Sequence, residues 1–394
     1  MNQKYRIAMA GALVLASLRS ASALACGGGG VTSQVGVTMN SQRVFMSVRA
    51  AGRTDIVAQI TVPQTSADYG VLIPVPSEPT LDSEPVSAAD LNALDLATAP
   101  VVSNATHDGG GSGCGCIGAG SMAGGDKGSD TPNRGVVAST AVTIGPVVAV
   151  SLTGDSPDAV RAWLNSNGFS LPQTDAATLD RYVGDGKYFI AIRRNEGVAT
   201  VPPPGAGAPS SVGIHYSLAG DHRMLSLAFT RIGAGSKLAF TLFLAAPKTV
   251  GPSEPFKALT LNDLDAATLE RDDYALAVET AVAARDSKAF VLESSTSMGD
   301  IAASVPGLAR LADPGALITR ATTVIAREQL NDDAVFATPF EGTVPSHRTV
   351  SLDAARVRYA GLGSLGLLVM AGALRRRSRE RQPSGGNEQR RPAR

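Results

Sequence analysis

SPDAVRAWLNSNGFSLP, residues 156–172, and KYFIAI, residues 187–192, set the expectation for the fold. Ser156 is placed to cap a helix, Pro157 fits the first helical position, and Asp158 favours the positive helix end. Val160, Trp163 and Leu164 are spaced i, i+3, i+4 and share one apolar face. Gly168 stands where the chain leaving a helix turns left-handed, and Phe169 beyond it can fold back on the last turn. Leu171-Pro172 ends the segment. Thr174 or Asp175 then caps a second helix carrying Ala177, Leu179, Tyr182 and Val183, which Gly184 and Gly186 close. Tyr188 to Ile192 is β-prone. The only tryptophan, Trp163, lies among apolar helix neighbours, so Trp163, Gly168 and Tyr188 read as structural, with both rings packed on the main sheet.

Around this unit the chain is mostly strand. Val31–Thr38, Gln42–Ala50 and Thr54–Val62 are short, rich in Val and Ile and separated by turn residues, the pattern of a β-meander. Arg43, Phe45, Ser47 and Arg49 alternate with Val44, Met46 and Val48, which predicts one buried face. Two prolines in Tyr69–Pro76 predict an edge strand or an extended exit from the sheet, because each removes a donor. Ala88–Ala97 reads as a helix with Leu91, Leu94 and Leu96 apolar, and strand pattern returns at Val136–Ile144 and Pro146–Thr153. Val212–Ser217, Arg223–Arg231 and Lys237–Ala246 read as strands. Leu261–Leu269, Tyr274–Ala284 and Leu317–Leu330 read as helices, with strand-prone Ala289–Leu292 between them. The expected class is α+β: a mainly antiparallel β-sheet ectodomain with several packed helices, plus one C-terminal transmembrane helix.

The ends direct the chain to the envelope. Lys4 and Arg6 precede an apolar run, Ile7–Leu18, and Ala23-Leu24-Ala25 gives a small-x-small cleavage pattern before Cys26, so residues 1–25 read as a signal peptide. Residues 26–338 form the exported β-rich domain, with a Gly/Ser/Asp-rich loop at 107–134, and residues 339–358 form a polar linker. Residues 359–374 carry no charge and are followed by Arg375, Arg376 and Arg377, a cluster that fixes the basic tail, 375–394, in the cytoplasm. Sixteen residues of helix reach about 24 Å against a hydrocarbon core of about 30 Å, so the span is short. A processed tail would instead leave a surface or secreted form.

Residues 1–25 hold three bases, and residues 375–394 hold eight arginines and two glutamates. Removing them from 35 bases and 35 acids leaves 24 against 33 in residues 26–374, a net charge of −9. An acidic exported domain repels nucleic acid, so no nucleic-acid partner is expected. The expected partners are the membrane, through the C-terminal span, and an envelope or extracellular protein.

The cysteines are Cys26, Cys114 and Cys116. Cys114-Gly115-Cys116 is too tightly spaced for an easy local bridge, so in an oxidising compartment the expected disulfide joins Cys26 to one of the two. A zinc site would need His107 as fourth ligand and lacks the usual paired spacing. The sequence contains no G-x-S-x-G, H-E-x-x-H, P-loop or strand-borne G-x-G-x-x-G, and no cofactor or catalytic residue is assigned. His215, beside Tyr216 in a strand pattern, reads as a sheet-surface histidine. Asp272-Asp273 and Asn331-Asp332-Asp333 read as caps at a helix start and a helix end. An envelope hydrolase or protease-like enzyme around Asp221, His222 and the 107–134 loop is the alternative, tested by whether His222 meets a carboxylate and a nucleophile.

Cys26-Gly27-Gly28, Val71–Pro76, Ala162-Trp163-Leu164, Asn167-Gly168-Phe169, Leu171-Pro172, Tyr182-Val183 and Tyr188–Ala191 together resemble a bacterial family of unknown function, the DUF2330 proteins, over roughly Cys26 to Asp333. The resemblance implies an exported or membrane-anchored protein and carries over no functional residue. The apolar, Gly-rich tail ending in arginines is similar to sorting tails of some Gram-negative surface proteins, including the myxobacterial type, although no cysteine precedes it here. The function expected from all of this is structural, interactive or adhesive work at the envelope.

Overall fold

A computed structural model describes residues 22–23, 29–32, 38–62, 70–103, 135–171, 175–195, 210–269, 273–345 and 349–351. Their core is two sheets packed face to face. Nine strands form the larger sheet, in the order Lys257–Thr260, Ala289–Ser297, Leu317–Ala326, Ala234–Ala246, Thr38–Arg49, Arg53–Val62, Ser210–Ala219, Thr80–Leu81, with Ser22–Ala23 beside Thr38–Met39. The smaller sheet runs Gly30–Thr32, Gly70–Val75, Tyr188–Arg194, Val147–Gly154, Val136–Ala138, with Val142–Ile144 also on Val147–Gly154. Pairing is mainly antiparallel, as expected. One continuous core joins the facing sides, with Val44, Met46 and Leu242 from the large sheet and Ile73, Val147 and Ile190 from the small one.

Helices cover the two outer sides. Helix α1 (Ala88–Thr98) lies on the large sheet with the short helices α6 (Met298–Ile301) and α7 (Pro306–Ala309). Helices α2 (Pro157–Ser166) and α3 (Ala176–Gly184) lie on the small sheet. Helices α4 (Ala266–Leu269) and α5 (Tyr274–Ala283) pack beside the central core. Because both outer faces are covered, the Thr38–Arg49 strand is buried on both sides. Val44 and Met46 face the smaller sheet, and Phe45 faces α1. The one-face expectation therefore fails, since alternation marks burial only where one face meets water.

Other expectations are corrected for similar reasons. Gly30–Thr32 leaves the presumed meander and pairs with Gly70–Val75 in the other sheet. Gly70–Val75 is an interior strand, but Gly30–Thr32 reaches only Gly70–Leu72, so Pro74 has a neighbour on one side alone. Leu96 falls off the Leu91/Leu94 stripe and is 75% exposed. Val136–Ile144 splits into two short strands.

Arg223–Arg231 keeps only Met224–Leu225 as strand and then turns, because the Phe229 N–H bonds Ser226 O at 3.2 Å and the Thr230 hydroxyl bonds Leu227 O at 2.6 Å. Leu261–Leu269 is a 3-10 turn, Leu261–Asp263, followed by the single turn of α4. Leu317–Leu330 is a strand to Ala326, not a helix, hydrogen-bonded on both sides. Residues read as a linker pack on the domain: Phe340 and Val344 touch the central core, and Pro345 O accepts the Ser295 N–H at 2.8 Å.

One glycine is required by close approach. Gly213 lies under the bridge from Val86, and a Cβ there would sit 2.9 Å from both Val86 O and Val57 Cγ1. Gly213→Ala is expected to cost about 1–3 kcal/mol by overpacking, read as a lower urea midpoint. An unchanged midpoint would show that this edge gives way freely.

Candidate functional site

The α1 side of the large sheet carries an apolar strip, Phe45, Val57 and Phe243, flanked by two charged clusters. The first is centred on His215, which the sequence placed on the sheet surface and which is only 7% exposed. Its Nε2 lies 3.0 Å from Asp55 Oδ1 and its Nδ1 lies 3.0 Å from Asp82 Oδ2. Asp55 is a fully buried residue of the neighbouring strand, and Asp82 follows the edge strand Thr80–Leu81.

Arg53 donates to Asp55 from Nε at 3.1 Å and Nη2 at 3.0 Å. Arg49 adds a contact to Asp55 at 3.6 Å and binds Asp313 at 3.3 Å. Burial pushes the Asp55 carboxyl up, but hydrogen bonds from His215 and Arg53 outweigh it and hold the group below its usual range. Asp82 is held down in the same way, burial being outweighed by the Glu84 N–H and His215.

Two ionised carboxylates can only accept, so both contacts are made together only when each ring nitrogen of His215 carries a proton. In that state the ring has no lone pair with which to take a proton, and general-base work is closed to it. Ser47, in register with Asp55, is buried and has no hydrogen-bond partner among the described residues, but no ring nitrogen is free to activate it.

The second cluster is a buried ion network. Glu293, fully buried, stands at an irregularity of the Ala289–Ser297 strand. It accepts from Arg320 Nε and, at 2.5 Å, from the Tyr274 hydroxyl of α5. Arg320 also bonds Asp95 of α1 and lies over the Phe243 ring, 5.3 Å from its centroid. Arg43 pairs with Asp95 at 3.3 Å and donates to Asn92 Oδ1 at 2.9 Å, tying α1 down from the exposed side. Burial, the nearby Glu293 charge and the Glu293 hydrogen bond together push the Tyr274 hydroxyl far up, so it remains a donor. The network clamps α1 to the sheet.

The residues singled out from sequence are dispersed. Trp163 is 7% exposed and stacks on Phe169, with centroids 6.2 Å apart. Gly168 has φ +81°, and the Phe169 N–H bonds Leu164 O at 2.9 Å, which closes the helix end. Tyr188 goes elsewhere: Phe189 joins Trp163 under the helices, while half-buried Tyr188 points to the central core between the sheets. The unit thus packs on the smaller sheet, with its two aromatic rings on opposite faces of one strand.

His222 Nε2 bonds Ala219 O at 2.7 Å, and Asp221 is held by Arg223 at 2.7 and 2.8 Å. The alternative constellation therefore does not form among the described residues. Asp273 does cap α5, accepting the Leu276 N–H at 3.0 Å. Asp333 caps no helix; it accepts the Tyr182 hydroxyl at 2.5 Å and the Ala228 N–H at 3.1 Å, joining α3 to the turn that follows Met224–Leu225. Asp175 makes no side-chain cap and instead binds Arg327 at 2.9 Å. Asp332 pairs with Lys288 at 2.7 Å.

Cys26, Cys114, Cys116, His107, the 107–134 loop, residues 359–374 and Arg375, Arg376 and Arg377 lie outside the described residues. Among the described residues no helix is long and apolar enough to cross a membrane, and no group of three His, Cys, Asp or Glu side chains is arranged to hold a metal ion. A cavity of about 470 Å3 opens between α2 and α3, lined by Arg161, Leu164, Asn165, Leu171, Ala176 and Asp180. Its guanidinium is held by Asp158 at 2.6 Å and by Asp180.

The sequence could not assemble either cluster. His215 stands 160 positions from Asp55 and 133 from Asp82, and nothing local marks the three as neighbours. Neither a curated protein nor a solved structure matches the chain. A family model described as an uncharacterized protein conserved in bacteria, DUF2330, matches residues 20–250, more than half of the chain. The quoted motifs all fall in that span, which stops short of the Asp333 limit read from the sequence. The chain therefore belongs to the DUF2330 family.

Proposed function

We propose that the protein is an exported, membrane-anchored envelope protein whose work is structural or interactive, adhesion included, and not catalytic. The observation that carries this reading is the pair of ends: a basic, apolar, small-x-small leader before Cys26, and an uncharged run, 359–374, closed by Arg375, Arg376 and Arg377. The acidic region between them fits a surface domain that repels polyanions. His215 supports the non-catalytic half of the reading, because both ring nitrogens are committed to carboxylates.

Cell fractionation with mass spectrometry of the mature protein tests it. The expected result is a chain beginning at Cys26, carrying its C-terminal arginines and found with the membrane fraction. A mature form ending before Tyr359 would replace the anchor with a processed sorting tail. A full-length chain in the soluble cell fraction would sink the proposal. The same spectra are expected to show a disulfide from Cys26 to Cys114 or Cys116, and three free thiols would refute that pairing.

A further inference from the structure

We propose that His215, Asp55 and Asp82 form a pH-sensitive latch holding residues 80–87, and with them the start of α1, on the large sheet. Its other ties are few: Val86 is buried in the α1-side core, and Leu81 packs on the core between the sheets. Thr80 and Leu81 pair only with Ser217 and Tyr216, Val86 makes one bridge to Gly213, and the Asp82 N–H bonds His215 O at 3.2 Å. Ser87, the residue that caps α1, follows directly. Asp82 is the side chain by which this segment reaches the buried ring, and Asp55 holds the same ring from the sheet.

Charged groups face the ring from every neighbouring element. Arg49 comes from the Thr38–Arg49 strand, and Arg53 precedes Asp55 on the next. Glu84 lies two residues after Asp82, and Arg310, just past α7, approaches Asp82 at 4.0 Å and Glu84 at 3.8 Å. Asp313 pairs with Arg49, and Asp90 of α1 feels Arg310. Three guanidiniums thus stand against five carboxylates, and a proton on the ring adds a fourth positive charge, one short of balance.

The latch fails in both directions of pH. Loss of the ring proton leaves a nitrogen lone pair facing a carboxylate oxygen. Gain of a proton by Asp82 or Asp55 removes an ion pair. Both carboxyls are depressed from 3.8, so the stability they contribute is complete above that value and is lost as pH falls below it. The acid arm therefore lies below the ordinary aspartate range.

Hydrogen exchange on the full chain, from about pH 2 to about pH 9 and corrected for the intrinsic exchange rate, tests the latch. Protection of a peptide spanning 77–98 is expected to follow a bell, falling about tenfold or more at each end. Protection of Tyr188–Arg194 stays flat. Asp82→Asn is expected to lower protection of 77–98 at neutral pH and to shrink the acid arm to what Asp55 contributes. A flat wild-type profile for 77–98 would overturn the latch, and so would a fall shared equally by Tyr188–Arg194, which reports global unfolding. An Asp82→Asn profile that overlays the wild type would overturn it too. If that variant does not fold, the wild-type profile alone decides.

Discussion

Arg320→Ala is expected to lower stability by about 3–5 kcal/mol, the usual cost of leaving a buried charge without its partner. Glu293 is wholly inside the protein and has two described donors, Arg320 Nε and the Tyr274 hydroxyl. With the guanidinium gone, a carboxylate shielded from water keeps one neutral hydrogen bond and loses the charge that makes its burial tolerable. The same change leaves Asp95 with Arg43 alone, so the cost extends to the seating of α1. Urea unfolding at neutral pH measures it.

The companion variant Arg320→Met with Glu293→Gln removes both charges while keeping volume, and is expected to recover most of the loss. A single-variant effect below about 1 kcal/mol would mean that water reaches Glu293, and the clamp would then be no more than a surface ion pair.

Trp163→Ala is expected to cost about 3–5 kcal/mol, as a large aromatic truncation in a packed core. The indole joins Val160 and Leu164 of its own helix to Phe189 and Leu152 of the smaller sheet, and stacks on Phe169. Its loss leaves a cavity at the seam between α2 and the strands, which a short helix stopped at Gly168 cannot shift to fill. Thermal or urea unfolding reads the effect, with circular dichroism confirming that the rest of the fold persists. A change below about 1 kcal/mol would mean that the ring is exposed, and a ligand-binding role for it would regain ground.

The parts of the fold legible in the sequence are those decided within a few residues. Ser156, whose Oγ accepts the Ala159 N–H at 3.3 Å, and Gly168 act on the backbone beside them, and the 156–169 helix matches its expected form. Asp273 likewise caps α5. Leu317–Ala326 was illegible for a physical reason. It is buried on both faces, so its apolar residues do not alternate, and Arg320 stands in its middle. That arginine is tolerated only because Glu293 and Asp95, from another strand and a helix, converge on it. Asp175 misled in the opposite way: its type and position suit a cap, but Arg327, 152 residues away, offers a full charge and takes the carboxylate.

The sequence by itself determined the α+β class, the capped helix from Pro157 to Ser166 and the family, together with the end signals on which the proposed export and anchoring rest. Each depends on periodicity, capping or local motif. Only the tertiary structure decided that two sheets stack face to face, that the 156–192 unit covers the smaller of them, that Arg320 is a buried ion and that His215 is buried between two carboxylates. Those outcomes depend on which distant strands become neighbours. A buried charge is stable only where the fold delivers its counter-charge within hydrogen-bond reach, and no local rule of sequence specifies that delivery.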